Sequence, residues 1–343
     1  MKRLVVCCDG TWNELSRFPT NVVKMAQAVK PFDSHQVTQI VYYQEGLGTR
    51  WYDRVLGGAF GWGIDYNIRN AYEFLCFNYE PGDEIYLFGF SRGAYTARSL
   101  AGMMYCSGLL ARQHIGKIQD AYDLYRHRTI RPSSDIAQQF RSQYGVHSNG
   151  ENQIPITLLG CWDTVGSLGV PNFIPLISQV INKKHQFHDT ELNRKINAAL
   201  HAVAIDERRK VFDVTPMNKS PKNLSQEVHQ VWFPGVHGCV GGGRLENCKL
   251  SDHALIWMIQ AIANLKLGLE FDLNRLQEYF AVDPTINFNT SPGIFGLLGL
   301  HDRAILGGFA ALDQSVKARW HKRKDYRPVN LRPLATQLDA AAE

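Results

Sequence analysis

The chain has 343 residues, of which 45% are hydrophobic and 20% charged, so it is long enough and apolar enough to bury a sizeable core. Its net charge of +5 is small and its lysines and arginines are scattered, which argues against a nucleic-acid partner. Seven cysteines without regular spacing argue against a disulfide framework and indicate free thiols in a reducing compartment.

The amino-terminal residues lead directly into an apolar strand pattern, without the apolar stretch and cleavage site of a secretory signal. No apolar stretch approaches membrane-spanning length, and even 293–300 is short and interrupted by glycine. We therefore expect a cytoplasmic protein. Secretion by a route that needs no signal peptide is the alternative. The basic stretch at 317–324 favours a solvated face, and transient contact with an anionic membrane surface is the alternative.

Strand and helix patterns alternate along the chain. In chain order we predict a strand at 4–8, a helix at 21–29, a strand at 36–43, a loop at 45–63, a helix at 64–79, a strand at 85–88, helical segments from 94 to about 128, a polar surface excursion at 132–153, and strands at 154–161 and 231–236. This alternation predicts an α/β fold that is α/β-hydrolase-like, with a mainly parallel doubly wound sheet and helical insertions. We expect a single domain over 1–343, with a core at about 1–265 and a C-terminal helical and loop extension at about 266–343.

The segment Gly89-Phe90-Ser91-Arg92-Gly93 lies between the predicted strand at 85–88 and a helical pattern. A turn this sharp strains the backbone of its central residue and leaves no room for side chains two positions away on either side, which explains glycine at 89 and 93. The turn exposes Ser91 at the carboxyl end of the strand and aims the first N–H groups of the following helix at the group that the serine attacks. The context therefore favours a nucleophile over glycines that only permit close packing.

Three other predicted strands end in polar loops, and ligands of doubly wound sheets bind at the carboxyl ends of the strands. The loops begin at Asp9, Asp163 and His237. Ser91, Asp163 and His237 follow the chain order serine, acid, histidine of α/β hydrolases. His237 is the candidate general base, and Asp163 is the candidate group that orients its imidazole, with a loop or helix cap as the plainer interpretation of Asp163.

Other acids and histidines compete for these roles. Asp206 and Asp252 are the rival acids, but 202–209 resembles a charge-paired helix, which favours a structural salt bridge for Asp206. The rival histidines are His201 and His253, and the pattern Ser251-Asp252-His253 resembles a helix start, where a cap is the ordinary explanation. His237 is followed by a glycine-rich loop that lets a serine or a substrate come close.

The backbone N–H of Arg92, directly after the nucleophile, is the first predicted oxyanion donor. Gly10 and Thr11 are the candidates for the second, because glycine lets the backbone approach. Asp9 would oppose an oxyanion unless its charge is engaged elsewhere, for example by Arg92 or by capping the loop. A cation held by Asp9 and Asp163 is the alternative, but no His or Glu spacing supports it, so we expect no metal and no cofactor.

Five segments in this order resemble a known family: VVCCDGTWN, GFSRGAYTARSLAG, GCWDTVGSLG, HAVAIDERR and QVWFPGVHGCVGGG. They resemble the domain-of-unknown-function 2235 family of α/β hydrolases, which includes the catalytic domain of type VI secretion phospholipase effectors. The resemblance extends from residue 4 to about 260. It implies that Ser91, Asp163 and His237 occupy the positions of the family's triad and that a lipid or another carboxylic ester is the substrate. Where family members often follow the histidine with a small residue and an aspartate, this chain has Gly238 and Cys239.

Two apolar segments are candidates for a lid over an acyl pocket, 170–181 and 294–300, and ordinary packing is the alternative for both. Trp51, Phe60 and Trp62 are candidates for a pocket wall or for packing within their own loop. Two classes of function follow. The first is a serine esterase or lipase, phospholipase-like, acting on a small-molecule or lipid ester, and the second is a non-catalytic ligand-binding module on a hydrolase scaffold. The sequence predicts no oligomeric state.

Overall fold

The computed structural model describes the backbone of residues 1–10, 18–46, 59–148, 150–166, 191–243, 248–279 and 282–341. Within these ranges the strands are β1 (Arg3–Cys8), β2 (Gln39–Gln44), β3 (Glu84–Phe90), β4 (Ile156–Trp162), β5 (Ile196–Ala204) and β6 (Glu227–Phe233). The α-helices are α1 (Asn21–Ala28), α2 (Ala59–Asn78), α3 (Arg92–Ser107), α4 (Ile118–Arg126), α5 (Asp135–Tyr144), α6 (His237–Gly241), α7 (Cys248–Asn264), α8 (Gln314–Lys322) and α9 (Ala335–Ala340). Short 3-10 helices cover Arg112–Lys117, Lys210–Phe212, Leu273–Tyr279, Gly293–Leu298, Gly308–Ala311 and Val329–Leu334.

The strands form one parallel sheet in the order β2-β1-β3-β4-β5-β6. The chain steps from β1 to β2 on one side and then passes back over β1 to β3, so the direction of winding reverses between β1 and β3. In open α/β sheets such a reversal opens a crevice outside the carboxyl ends of the strands, where ligands bind. The topology confirms the predicted α/β class with a parallel doubly wound sheet, and α4 and α5 are helical insertions between β3 and β4.

Two apolar clusters cover the two faces of the sheet, and β1 shows how one strand serves both. Leu4 and Val6 pack into the cluster that contains α2 and α3, whereas Val5 and Cys7 pack into the cluster that contains α1 and α7. Every residue of β1 is buried, which is why the strand is apolar without interruption from Leu4 to Cys8 rather than alternating. The cysteines described as free and buried are Cys7, Cys8, Cys76, Cys106, Cys161 and Cys239.

The segment 282–341 packs against the carboxyl-end half of β5 and β6 through a third cluster. The buried members of this cluster are Val203, Ile205, Trp232, Leu312, Val316, Trp320, Tyr326, Leu331 and Leu338. Arg319 of α8 is buried, and its guanidinium donates to the Pro284 and Ile286 carbonyl oxygens at 2.5 and 2.9 Å. The basic stretch at 317–324 is therefore only partly a solvated face.

Several predicted elements differ from the structure. The predicted helix at 202–209 is wrong, because 202–204 ends β5 and a turn follows. A short run of Ala, Val and Ile suits either a buried helix or a strand covered on both faces, and neighbouring strands decided between them. The surface excursion at 132–153 contains α5, whose Arg141 is buried, and the loop predicted at 45–63 ends earlier because α2 begins at Ala59.

None of the helices in the described ranges is both long enough and apolar enough to cross a membrane.

Candidate active site

The turn between β3 and α3 places Ser91 at the carboxyl end of a central strand. Its backbone has φ 58° and ψ −121°, a strained combination that residues other than glycine rarely adopt. A Cβ atom on Gly89 would lie 2.4 Å from the Gly93 carbonyl oxygen, and one on Gly93 would lie 2.1 Å from the Cys8 carbonyl oxygen. Both glycines are therefore required by backbone contacts, the first within the turn and the second against β1.

The structure brings Ser91, His237 and Asp163 together from the ends of β3, β6 and β4. His237 Nε2 lies 2.8 Å from Ser91 Oγ, and His237 Nδ1 lies 2.5 Å from Asp163 Oδ2. All three residues are buried, with exposed fractions of 6% for Ser91, 0% for Asp163 and 8% for His237. Because an ionised carboxylate only accepts hydrogen bonds, this pairing keeps the proton on Nδ1 and leaves Nε2 as the acceptor facing the serine hydroxyl.

Asp163 follows β4 directly and has a positive φ of 40°, so its side chain turns from the sheet toward His237. Its Oδ1 accepts from the Ala204 N–H at 2.9 Å and from Arg303 at 2.6 Å, and its Oδ2 accepts from Arg303 at 3.1 Å. Burial by itself would raise the pKa of Asp163, but the Arg303 guanidinium and His237 hold it well below its usual range. The carboxylate is thus ionised and fully engaged by protein donors.

His237 is the first residue of α6 and lies between two aromatic rings. Its ring centroid is 4.7 Å from that of Phe90 and 5.1 Å from that of Phe212. A Cβ atom on Gly241 would lie 2.0 Å from the Phe90 ring, so this glycine leaves space for the ring that packs on the imidazole. The backbone N–H of His237 donates to Glu207 Oε2 at 3.3 Å, and this hydrogen bond fixes the start of α6.

The predicted oxyanion donors differ in their surroundings. Arg92 is the first residue of α3, where backbone N–H groups have no partner within the helix, and burial lowers the pKa of its side chain to about 10. The Gly10 N–H donates to Asp9 Oδ1 at 2.7 Å, and Asp9 Oδ2 accepts from Thr20 and Tyr43 at 2.7 and 2.9 Å. The charge of Asp9 is thus engaged by its own loop, by α1's capping residue and by β2. Thr11 lies outside the described residues.

The rival acids are held away from Ser91 and His237 by partners of their own. Asp206 Oδ2 accepts from the Gly235 N–H at 2.6 Å and from the Tyr326 hydroxyl at 2.9 Å, and burial raises the pKa of Asp206 to about 6. Both partners are hydrogen-bond donors without charge, so the salt bridge expected for Asp206 is wrong. Asp252 accepts from Lys24 Nζ at 2.5 Å in a buried ion pair.

The rival histidines also have other surroundings. His201 is fully buried in β5, where Nε2 accepts from the Thr164 N–H at 3.1 Å and Nδ1 donates to Gln230 Oε1 at 3.0 Å. Burial lowers the pKa of His201 to about 3, so it is a neutral core residue. His253 is an interior residue of α7, which begins at Cys248, so the predicted cap at 253 is wrong.

One of the two predicted lid segments approaches the site. The 3-10 helix Gly293–Leu298 carries Phe295, whose ring packs edge-to-face on Phe212 at 5.6 Å between centroids. Leu297 in the same helix is 87% exposed. The other segment, 170–181, lies outside the described residues, as do Trp51 and the side chains of Phe60 and Trp62.

The alternative of a cation between Asp9 and Asp163 gains no support from their contacts. The oxygen atoms of both carboxylates accept from protein donors. Among the described residues no group of three or more His, Cys, Asp or Glu side chains is arranged to hold a metal ion.

Arg303 is the site residue that sequence reasoning missed. It lies 140 residues from Asp163 along the chain, in a segment between two short 3-10 helices, and its side chain is 1% exposed. No motif surrounds it, and a single arginine in a polar segment is ordinarily solvated. Only the packing of 282–341 on the sheet brings it to the carboxylate.

In comparison with known proteins, residues 2–261 match a family described as "T6SS, Phospholipase effector Tle1-like, catalytic domain". An uncharacterized protein of Saccharomyces cerevisiae is 31% identical over 250 residues, which cover 65% of this chain and 34% of that protein. The chain thus spans about a third of the length of this relative.

Two solved structures are similar to parts of the chain. One is an uncharacterized protein from Pseudomonas aeruginosa, with 17% identity, a TM-score of 0.48, and coverage of 82% of this chain and 49% of that one. The other is the Tle1 effector bound to the VgrG spike from the Type 6 secretion system, with 19% identity, a TM-score of 0.38, and coverage of 71% and 51%. The chain corresponds to about half of each of these proteins.

Proposed function

The chain belongs to the Tle1-like phospholipase effector catalytic domain family, and on that premise we propose that it is a serine hydrolase that cleaves a carboxylic ester of a lipid. The observation that carries the proposal is the 2.8 Å contact between His237 Nε2 and Ser91 Oγ, continued at 2.5 Å from Nδ1 to Asp163. A serine, a base and an orienting acid within hydrogen-bond distance make the arrangement that nucleophilic acyl transfer requires.

In the first half of the reaction His237 Nε2 takes the Ser91 proton while Oγ attacks the ester carbonyl carbon, which gives a tetrahedral oxyanion. The imidazolium then returns the proton to the departing alkoxide, so an alcohol leaves and an acyl-serine forms. In the second half His237 takes a proton from water while the oxygen of that water attacks the acyl-serine, and the imidazolium then returns the proton to Ser91 Oγ as the carboxylic acid leaves. Asp163 accepts from Nδ1–H throughout and stabilises the imidazolium.

The Arg92 N–H, at the positive end of the 16-residue helix α3, is the proposed first donor to the oxyanion. Gly10 is proposed as the second, with Thr11 beside it. For this role the Gly10 amide must exchange Asp9 Oδ1, its partner at 2.7 Å, for the oxyanion. The strained Ser91 backbone holds Oγ in place before a substrate arrives, so little reorganisation is needed in the reaction.

Aromatic rings line one side of the site. Phe212 packs on His237 and Phe295 packs on Phe212, in a row of aromatic rings, and Leu297, in the same 3-10 helix as Phe295, is 87% exposed. We place the acyl chain of the substrate along this row, with the 3-10 helix Gly293–Leu298 covering it, and we propose transient contact with a membrane surface at Leu297. The reaction as written needs no cofactor.

The proposal is tested with the purified chain, its Ser91→Ala variant and the control Ser107→Ala. Ser107 is also buried in α3, at the end opposite Ser91, where its hydroxyl donates to the Ala121 carbonyl oxygen at 2.6 Å. Each protein is treated with a fluorophosphonate probe and assayed on short-chain esters, phospholipid vesicles and polyesters side by side.

We expect the wild type and Ser107→Ala to be labelled and to hydrolyse phospholipid faster than the other esters, whereas Ser91→Ala does neither. Hydrolysis that persists in Ser91→Ala would contradict the role of the serine. Ligand binding without labelling or hydrolysis by the wild type would favour the binding-module alternative.

A further inference from the structure

Arg303 lies beyond residue 261, where the family match ends, yet it contacts the acid of the candidate site. Its two terminal nitrogens donate to the two oxygens of Asp163, at 2.6 and 3.1 Å, in the paired geometry that guanidinium and carboxylate groups favour. The side chains are 1% and 0% exposed. Arg303 is therefore shielded from any substrate and can influence the site only through the residues it contacts.

The same guanidinium also holds two backbone segments around the site. It donates to the Ala204 carbonyl oxygen at 2.8 Å, at the end of β5, and to the Phe212 carbonyl oxygen. The Phe212 ring packs on His237. One side chain thus fixes the acid, the strand end beside the acid and the residue that supports the imidazole.

The backbone around Arg303 is itself anchored on both sides. His301 N–H donates to the Arg208 carbonyl oxygen at 2.8 Å, and Asn330 Nδ2 donates to the carbonyl oxygens of Ile205 and Arg303 at 2.9 and 3.2 Å. These contacts tie the C-terminal segment to the turn that follows β5. The position of the guanidinium is set by tertiary packing and does not depend on Asp163 alone.

We propose that Arg303 is a positioning residue for the hydrolytic site, and that the segment 282–341 is for this reason part of the active hydrolase and more than an appendage of the family domain. This inference rests on the proposed function. It assigns Arg303 the task of holding Asp163 as an ionised acceptor in the orientation that His237 Nδ1 requires.

The need for such a partner follows from burial. A fully buried carboxylate favours its neutral, protonated form unless a positive charge or several donors stabilise the anion. A protonated Asp163 could donate to His237 Nδ1, which would leave the imidazole proton on Nε2 and remove the acceptor for the Ser91 proton. The guanidinium prevents this exchange because it favours the anion and supplies two directed donors.

A purely stabilising role explains the pair less well. Removing two charges from water is costly, and a buried ion pair is often no more stable than well-packed apolar residues of similar volume. An apolar pair at these two positions would support the fold, but it would leave the imidazole without an acceptor for Nδ1–H.

The test compares Arg303→Gln and Arg303→Lys with the wild type and with the control Arg319→Gln. Arg319 is a buried arginine of the same C-terminal segment that donates to two carbonyl oxygens and, within the described part of the chain, makes no hydrogen bond to Ser91, His237 or Asp163. For each protein we would measure Tm, kcat and KM on a soluble short-chain ester, and the rate of fluorophosphonate labelling.

We expect Arg303→Gln to lower kcat and the labelling rate by about 10- to 100-fold, the usual cost of removing a group that orients a reacting residue. KM should stay within about twofold, because Arg303 cannot reach the substrate. Arg303→Lys keeps the charge but loses the fork, so its kcat should lie between those of Arg303→Gln and the wild type. Arg319→Gln should lose stability without losing kcat.

A folded Arg303→Gln with wild-type kcat would overturn the role of Arg303 while leaving the proposed hydrolase intact. If Arg303→Gln does not fold, Arg303→Lys decides: a folded lysine variant with unchanged kcat and labelling rate, or one that loses no more kcat than Arg319→Gln, would also overturn it. A wild-type protein that is neither labelled nor active on any ester would instead overturn the proposed function, and the role of Arg303 would fall with it.

Discussion

Replacing Asp163 with asparagine removes one charge without changing the size of the side chain. Asp163 now accepts four hydrogen bonds, from His237, from the Ala204 N–H and twice from Arg303. An amide has one acceptor and one donor end. If the amide oxygen faces the Ala204 N–H, the NH₂ group faces His237 Nδ1. In the reversed orientation the NH₂ group faces two donors, the Ala204 N–H and Arg303. The first orientation is favoured, and it turns Nδ1 into an acceptor and puts the imidazole proton on Nε2.

Two costs follow from this geometry. With the proton on Nε2 the imidazole cannot accept from Ser91, and the wrong tautomer typically lowers kcat about 10⁴-fold, or about 5 kcal/mol in the activation free energy. Arg303 keeps its charge in a site where its side chain is 1% exposed, and breaking a buried pair on one side costs about 3–5 kcal/mol of unfolding free energy. We therefore expect Asp163→Asn to lose nearly all activity and also to lose stability.

Ester hydrolysis and equilibrium unfolding in urea, both at 25 °C, separate the two effects. Activity is measured under conditions where the unfolding curve shows the variant to be folded, and Asp206→Asn is the matched control, with a predicted kcat within about twofold of the wild type. A folded Asp163→Asn that retains more than about a tenth of the wild-type kcat would show that another acid orients His237. That result would refute the role proposed for Asp163.

Gly93→Ala should prevent correct folding, because its Cβ atom would lie 2.1 Å from the Cys8 carbonyl oxygen, whereas Gly116→Ala should leave Tm nearly unchanged because nothing lies within 4 Å of its Cβ. Circular dichroism melts of the two variants check this, and a well-folded, active Gly93→Ala would contradict it. Burial raises the pKa of Asp206 to about 6, compared with about 3.9 in the unfolded chain. Since the folded protein therefore binds more protons between about pH 4 and pH 6, the contribution of Asp206 to the free energy of unfolding falls over this range and is constant above about pH 6. Asp206→Asn should therefore raise Tm at pH 7.5 and give no gain below about pH 4; an equal gain at both pH values would argue against the shifted carboxyl.

The strand and turn at 84–93 illustrate what local sequence can predict. A buried parallel strand needs a short apolar run, and a tight turn into a helix needs glycine on both sides of its central residue, so both features are visible in neighbouring residues. The candidates Ser91, Asp163 and His237 were found for the same reason, since each directly follows a predicted strand. The structure brings them into one chain of hydrogen bonds, and their catalytic role stays a prediction.

Local sequence does not predict a secondary structure or a side-chain partner that depends on residues distant in the chain. The apolar run at 202–204 is compatible with a helix or a strand, and it is a strand because β6 pairs with all three residues and β4 pairs with Ala202. Asp206 was expected in a salt bridge with nearby charges, but its partners are the Gly235 N–H and the Tyr326 hydroxyl, the latter 120 residues away. In both cases the deciding contacts come from distant parts of the chain.

Hydrophobic periodicity, glycine turns and strand-end loops are encoded locally, so the sequence alone predicts the parallel α/β architecture and the strand ends at which the candidate side chains gather. Which acid faces His237, and which positive charge compensates the burial of that acid, depends on the tertiary structure. Burial by itself would raise the pKa of Asp163, but Arg303, 140 residues away, lies against it and favours the ionised carboxylate. The stability of a buried charge depends on every group within a few ångströms, and chain folding, not sequence proximity, determines which groups those are.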